Sequence, residues 1–168
     1  MKKYVVIGNP IEHSLSPKLH NYWIKENNIS AVYDKKKLEE NDLENIIFDI
    51  KKKIISGVNV TVPFKKKIIP FLDELSPEAN YTQSVNTIFL QNDRTVGHNT
   101  DIAGFQLAIN HTKYDIANKN ILILGAGGVV SSLIFSLNKM KVSKITVSNR
   151  TKKKAENLRD LFKNLDIA

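Results

Sequence analysis

The segment Ile121-Leu122-Ile123-Leu124-Gly125-Ala126-Gly127-Gly128 runs from an apolar strand through a turn of small residues into a helical pattern. No other stretch of the chain constrains the fold as strongly. A strand that passes through glycines directly into a helix is the opening unit of a doubly wound α/β sheet. Small residues let the backbone approach a pyrophosphate, and the N–H groups at a helix start bind its oxygens. Gly125, Ala126, Gly127, Gly128 and Val129 are therefore candidate cofactor-binding residues. Val130 replaces the third glycine of the usual fingerprint, so helix and strand must pack differently there.

The choice of dinucleotide is written where the next strand ends. An NAD site usually places an acidic residue there, about 20 residues beyond the glycines, on the ribose 2′-hydroxyl. This chain has Ser148-Asn149-Arg150-Thr151 and then Lys152, Lys153 and Lys154. A guanidinium, a hydroxyl and ammonium groups suit a 2′-phosphate, which an Asp or Glu would repel. Asn149, Arg150 and Thr151 are the candidates, and NADP is the expected cofactor. At least one of the lysines is expected to do no more than open a solvated helix.

Upstream, strand and helix patterns alternate. Tyr4–Ile7 reads as a buried strand stopped by Gly8-Asn9-Pro10, and Ser16-Pro17 starts a helix, with Ser16 as N-cap, that runs to about Asn27. Strands are expected over 31–36 and 57–62. Between them Asp42–Lys53 is helical, with Leu43, Ile46, Ile47 and Ile50 on one face. Val60 and Val62 are expected in the core. A short helical piece over 66–72 follows, and Ser76-Pro77 starts another helix. Asn92-Asp93 turns a hairpin between 85–90 and 94–97.

The pattern predicts a mostly parallel α/β substrate-binding sheet with an antiparallel edge, over residues 1–100. A linker helix is expected over 101–112. A partial Rossmann dinucleotide-binding domain follows over 113–168, with strands at 121–124 and 144–148 and helices from about Gly128 and from Lys152. Two strands alone are marginal without more sheet.

Composition narrows the class. The chain has 168 residues, 42% of them hydrophobic, and no cysteine, which excludes disulfides and Cys-based zinc sites. No stretch approaches membrane-spanning length, and the apolar run after Met1-Lys2-Lys3 is too short for a signal peptide. The net charge of +8 sits in scattered lysine triplets without interleaved aromatics, so nucleic acid is not an expected partner. A positive field still helps to gather a carboxylate substrate and a phosphorylated cofactor. His13, His20, His98 and His111 show no metal-ligand spacing, and no metal is assigned.

Two further segments put polar groups at strand ends: Gly57-Val58-Asn59-Val60-Thr61-Val62-Pro63-Phe64-Lys65 and Gly97-His98-Asn99-Thr100-Asp101. They supply a lysine, a carboxylate, hydroxyls and amides for a small polar substrate. Hydride transfer to a ketone creates an alkoxide, which a lysine ammonium can stabilise and protonate. A carboxylate beside it can orient that ammonium. Asp101, at an expected helix N-terminus, is favoured in its ionised form. Taken alone, Lys65 in a run of lysines would read as surface, and Ser16 and Asp101 as simple caps.

Gly8-Asn9-Pro10-Ile11-Glu12-His13-Ser14-Leu15-Ser16-Pro17 with His20-Asn21 resembles the opening signature of the shikimate dehydrogenase family. Asn59–Lys65 is similar to its catalytic-lysine segment. Val85-Asn86-Thr87 and Gly97–Gly104 resemble two further motifs, and Gly125–Gly128 and Asn149–Thr151 its NADP-binding elements. The resemblance runs from residue 4 to about residue 155 in family order. It implies an oxidoreductase that reduces 3-dehydroshikimate to shikimate with NADPH, in the cytoplasmic chorismate route to aromatic amino acids. It implies that Ser14 and Ser16 bind the substrate carboxylate, that Asn59, Thr61, Asn86 and Asp101 hold ring hydroxyls, and that Lys65 and Asp101 are the catalytic pair. Ser84 stands where the family usually has Ala.

Family members continue well beyond residue 168. The expectation is a truncated chain, or one that finds its missing surface in a partner as a homodimer through residues 121–168. The alternatives are a quinate/shikimate dehydrogenase relative and a truncated chain that binds shikimate without turnover.

Overall fold

A computed structural model of the chain describes residues 1–163, 165 and 167; positions 164, 166 and 168 of the expected 113–168 segment lie outside the described residues. The chain divides into two compact units, Met1–Asn99 and Thr100–Ala168.

The first unit contains strands β1 (Lys2–Gly8), β2 (Ala31–Lys37), β3 (Gly57–Val60), β4 (Glu74–Leu75), β5 (Thr87–Gln91) and β6 (Arg94–His98) in the order β2-β1-β3-β5-β6-β4. Its helices are α1 (Ser16–Glu26), α2 (Leu43–Lys51), α3 (Phe64–Lys67) and α4 (Pro77–Thr82). β1 pairs in parallel with β2 and with β3, in the register Val6 to Lys35 and Val6 to Asn59. Alternation along each strand divides the side chains between two faces. Ile7, Val58 and Val60 join the buried apolar face of α2, where Leu43, Ile46, Ile47 and Ile50 are all buried as the periodicity predicts. Val6, Ile11 and Tyr33 form a smaller cluster on the opposite face.

Three local expectations need correction. Ser16 is not the N-cap of α1; that position is Leu15, and Ser16 is the first helical residue. Its N–H donates to Ser14 Oγ at 3.3 Å, so the hydroxyl that closes this helix start comes from Ser14. Val62 is 56% exposed and not core, because β3 ends at Val60. The chain turns immediately, with the Phe64 N–H on the Thr61 carbonyl at 2.9 Å, and Val62 sits on the outside of that turn.

The antiparallel strand is also not at the edge. β5 runs against both β3 and β6, and the two-residue β4 closes the sheet parallel to β6. A strand this short leaves no alternation to read. It is held by Asp73, whose carboxylate accepts from Lys51 Nζ at 2.8 Å, the Thr95 N–H at 2.8 Å and Thr95 Oγ1 at 2.7 Å. At the hairpin Asn92 and Asp93 both have positive φ, 51° and 58°, the conformation that the two-residue turn requires. Ser76 caps α4 as expected, its Oγ accepting from the Ala79 N–H at 3.2 Å.

The second unit holds α5 (Asp101–His111), β7 (Asn120–Leu124), α6 (Val130–Lys139), β8 (Lys144–Ser148) and α7 (Lys152–Leu161). β7 and β8 pair in parallel, and Ile145 also bridges Ile167. Val130, Ile134, Leu137, Ile145, Val147 and Phe162 form the buried core. The helix expected as a linker over 101–112 is α5, and Phe105 and Ile109 pack against this core. α6 meets it through small residues: Ser131, Ser132 and Ser136 are buried, and Ser136 Oγ donates to the Ile102 carbonyl at 3.3 Å. Ile121 and Ile123 face the core, whereas Leu122 and Leu124 on the other face of β7 are 59% and 79% exposed. Among the described residues, no helix is long and apolar enough to cross a membrane.

Candidate functional site

β1 and β3 lie side by side in parallel, so the loops that leave their C-terminal ends emerge together. Gly8 makes this close approach workable. A Cβ there would lie 2.6 Å from Thr61 Cγ2 and 3.1 Å from the Val62 carbonyl oxygen. The loops are pinned by the Asn9 N–H on the Val62 carbonyl and the Thr61 N–H on the Ile7 carbonyl, both at 3.0 Å. Between them opens a cleft of ≈280 Å³. Val6, Pro10, Ile11, His13, Ser14, Ser16 and Thr61 line it. Three of the expected substrate residues, Ser14, Ser16 and Thr61, thus converge on one cavity from two distant parts of the sequence. Their hydroxyls suit a polar ligand with hydrogen-bonding oxygens.

Glu12 holds the outside of the same loop. Its carboxyl lies below the usual carboxylate range, chiefly because its own N–H and that of Ile11 bond the anion; Lys37 adds a smaller effect. Lys35 Nζ donates to the Glu12 carbonyl, and Asn9 Nδ2 donates to Glu39 Oε1 at 3.0 Å. The cleft loop is therefore anchored to the end of β2.

Lys65, Asn59 and Asn86 belong to the same unit but not to the cleft lining. Within the lysine triplet, Lys65 is half-buried while Lys66 and Lys67 are exposed, and Lys67 pairs with Glu40. The Lys65 carbonyl accepts the Val85 N–H at 2.9 Å, which ties its helix to the segment that carries Asn86. Asn86 is buried, with its N–H on the His98 carbonyl at 3.0 Å and its carbonyl on the Val60 N–H at 2.8 Å. Asn59 spends both amide hydrogens inside the protein, on the Asn86 carbonyl at 3.2 Å and on Thr87 Oγ1 at 3.1 Å. A ligand can meet only what remains of its oxygen. Asp101 is the first residue of α5 in the second unit, with Thr100 as N-cap.

The sequence reading passed over Tyr33. It donates from its hydroxyl to Asn59 Oδ1 at 2.6 Å, and burial pushes its pKa up to about 12. His20 stacks flat on its ring at 4.1 Å, and burial lowers the imidazole's pKa. A tyrosine in a short strand reads only as strand propensity; the usable signal was the His20-Asn21 pair one helix earlier.

In the second unit, the turn after β7 has the form the sequence suggests. Gly125 has φ +109°, which L side chains rarely adopt, and nothing lies within 4 Å of a Cβ built on it or on Gly127. Conformation, not crowding, requires the first glycine, and the turn opens onto clear space. Asn149 closes the turn from the neighbouring strand end: its Oδ1 accepts the Ala126 N–H at 3.1 Å and its Nδ2 donates to the Thr151 carbonyl at 2.8 Å. Gly127, Gly128 and Val129 are exposed, and so is Arg150 just beyond Asn149. α6 begins at Val130, two residues after the expected start, because the Val130 N–H first turns back to the Gly127 carbonyl at 3.0 Å. Lys152 and Lys153 each lie 3.9 Å from Glu156, the surface role expected of at least one lysine. Among the described residues, no group of three or more His, Cys, Asp or Glu is placed to hold a metal.

Two family models match the chain. The shikimate dehydrogenase substrate binding domain matches residues 6–88, and the shikimate / quinate 5-dehydrogenase model matches residues 106–168. The NADP(+) shikimate dehydrogenase of Pelagibacter ubique is 55% identical over 166 residues, covering 99% of this chain and 63% of its own length. That of Staphylococcus haemolyticus is 38% identical, covering 92% of this chain and 58% of its own length. Among solved structures, shikimate dehydrogenase from Aquifex aeolicus superposes with a TM-score of 0.91 at 37% identity, covering all of this chain and 62% of its own. Shikimate 5-dehydrogenase from Thermus thermophilus, in complex with NADP(H) and shikimate, has a TM-score of 0.89 at 30% identity, covering all of this chain and 63% of its own. The chain thus spans about three fifths of the length of the relatives it matches.

Proposed function

Because the chain belongs to the shikimate dehydrogenase family, we propose that it acts in NADP-dependent interconversion of 3-dehydroshikimate and shikimate, in the cytoplasm. The observation that carries this reading is the convergence of Ser14, Ser16 and Thr61 on one cleft beside the half-buried Lys65 segment. Ser14 and Ser16 hydroxyls bind the substrate carboxylate, and Thr61 with Asn59 and Asn86 orders the ring hydroxyls. Bound NADPH supplies the hydride. Lys65 donates the proton that the developing alkoxide needs and stabilises its charge before transfer. Asp101 is the carboxylate of the proposed catalytic pair, at the start of α5.

The residues of the second unit fit the cofactor. The open turn at Gly125–Gly128 and the helix start behind it suit a pyrophosphate, and the exposed Arg150 suits a 2′-phosphate. A homodimer through residues 121–168 is part of the same proposal, with Leu122 and Leu124 exposed on the outward face of β7.

The test is shikimate-dependent reduction of NADP, compared between the protein and Lys65→Ala. The expected loss of turnover is roughly 10²- to 10⁴-fold, with a smaller change in shikimate affinity. Unchanged turnover would remove Lys65 from the chemistry.

A further inference from the structure

Helix α1 lies on the first sheet with most of its large apolar side chains turned outward. Leu19, Tyr22 and Trp23 are 48%, 59% and 47% exposed, and none of its residues is buried. Its half-buried positions are Ser16, Pro17, His20, Asn21 and Ile24, the spacing of one helical face. A helix in a globular unit usually owes its seat to a buried apolar stripe. Here Ile24 packs against the cluster of Val6, Ile11 and Tyr33, and most of the inward face is polar.

Asn21 supplies a different hold. β2 ends the sheet. The Lys2 N–H donates to the Ser30 carbonyl and the Leu38 N–H to the Gly8 carbonyl, so β2 meets β1 through its even-numbered positions and the N–H and C=O of Tyr33 point to the outer edge. Asn21 takes both: Nδ2 donates to the Tyr33 carbonyl at 2.6 Å, and Oδ1 accepts from the Tyr33 N–H at 2.9 Å. A carboxamide carries a donor and an acceptor side by side, as a peptide group does, so it stands in for a neighbouring strand. One position earlier, His20 lays its ring on that of Tyr33, 4.1 Å away and 4° from parallel. The other end of the same helical face opens the substrate cleft. Ser16 begins α1, about 7.5 Å along the helix from Asn21, and lines the cleft with Ser14. The Ser16 N–H donates to Ser14 Oγ at 3.3 Å and the Ser14 N–H to the Ile11 carbonyl at 3.0 Å, which ties the loop to the helix start.

We propose that Asn21 is a positioning residue for the substrate site: its amide, bound across both backbone groups of Tyr33, seats α1 on the edge of β2 and so fixes where Ser14 and Ser16 stand in the cleft. This rests on the reading of the two serines as carboxylate contacts. Asn21 acts through the helix and does not itself line the cleft.

Asn21→Ala removes both bonds. By calorimetry, shikimate affinity should fall about tenfold, the worth of one to two ordinary hydrogen bonds. In the Ser16→Ala background the same change should cost only about two- to threefold, since one of the groups through which it acts is gone. In ¹H–¹⁵N spectra of the unliganded protein the backbone signals of Ser14 and Ser16 should shift, while that of Thr61, whose N–H is held by the Ile7 carbonyl, should not. An equal loss in the two backgrounds, or Ser14 and Ser16 signals that stay in place, would overturn the proposal. Asn21→Asp, which keeps the acceptor for the Tyr33 N–H, carries the same measurements where Asn21→Ala fails to fold. If the unaltered protein binds no shikimate, the carboxylate reading fails by itself, and the Ser14 and Ser16 signals still decide whether Asn21 positions them.

Discussion

Lys65, Lys66 and Lys67 are indistinguishable by charge, and only their surroundings separate them. The first is half-buried with its carbonyl on Val85, whereas Lys67 lies on the surface against Glu40. The sequence could nominate Lys65 only through the strand end that precedes it. Asn59 shows the opposite case. It was legible as a polar group at a strand end, but its bonds to Tyr33, Asn86 and Thr87 come from strands that are remote in the chain. No local pattern could show that its amide hydrogens are spent. Arg150 is nominated by a local fact, the absence of an acidic residue at its strand end. Arg150→Ala should weaken NADP roughly 10- to 100-fold, the range of a charge-assisted hydrogen bond, and leave NAD nearly unchanged. Parallel titrations with the two cofactors check this, and equal losses would contradict a 2′-phosphate contact.

At the scale of elements, regular periodicity was readable and short pieces were not. α2 buries the same four side chains that its spacing nominates, and the Asn92-Asp93 turn lies where its residue types place it. β4 escaped because two residues carry no pattern, and its position depends on Asp73 reaching Lys51 and Thr95. That clamp has a consequence for acid stability. The Lys51 ammonium first, then the Thr95 N–H and hydroxyl, hold the Asp73 carboxyl well below the usual carboxylate range. A carboxyl lowered by folding adds stability above its unfolded pKa, and that stability is lost as pH falls through the folded value. Asp73→Asn should therefore lower Tm at neutral pH, and the gap from the unaltered protein should close in acid, below the unfolded value of 3.8. Melting curves across that range check it; a gap that is constant with pH would show that the charge of Asp73 does not matter.

At the scale of the whole chain, the two units differ in how fully they enclose their sheets. The first has six strands, apolar clusters on both faces and the cleft at the ends of β1 and β3. Among the described residues the second has a two-stranded sheet, with Leu122 and Leu124 facing outward. Light scattering after size-exclusion chromatography should find a dimer that Leu124→Lys converts to monomer. A monomer with one cooperative melt in the unaltered protein would count against pairing through β7. The division into an α/β sheet and a partial dinucleotide fold was legible from the alternation of patterns. The cleft itself was not, since it exists only because β1 and β3 are neighbours and Gly8 lets their loops meet.

The central claim is that residues of the first unit form a shikimate site. It is tested most directly by calorimetric titration of shikimate, without cofactor, into the protein and into Ser14→Ala/Ser16→Ala. Saturable binding that is strongly weakened in the double variant is the predicted result. No saturable binding, or binding indifferent to the two serines, would contradict the assignment of the cleft.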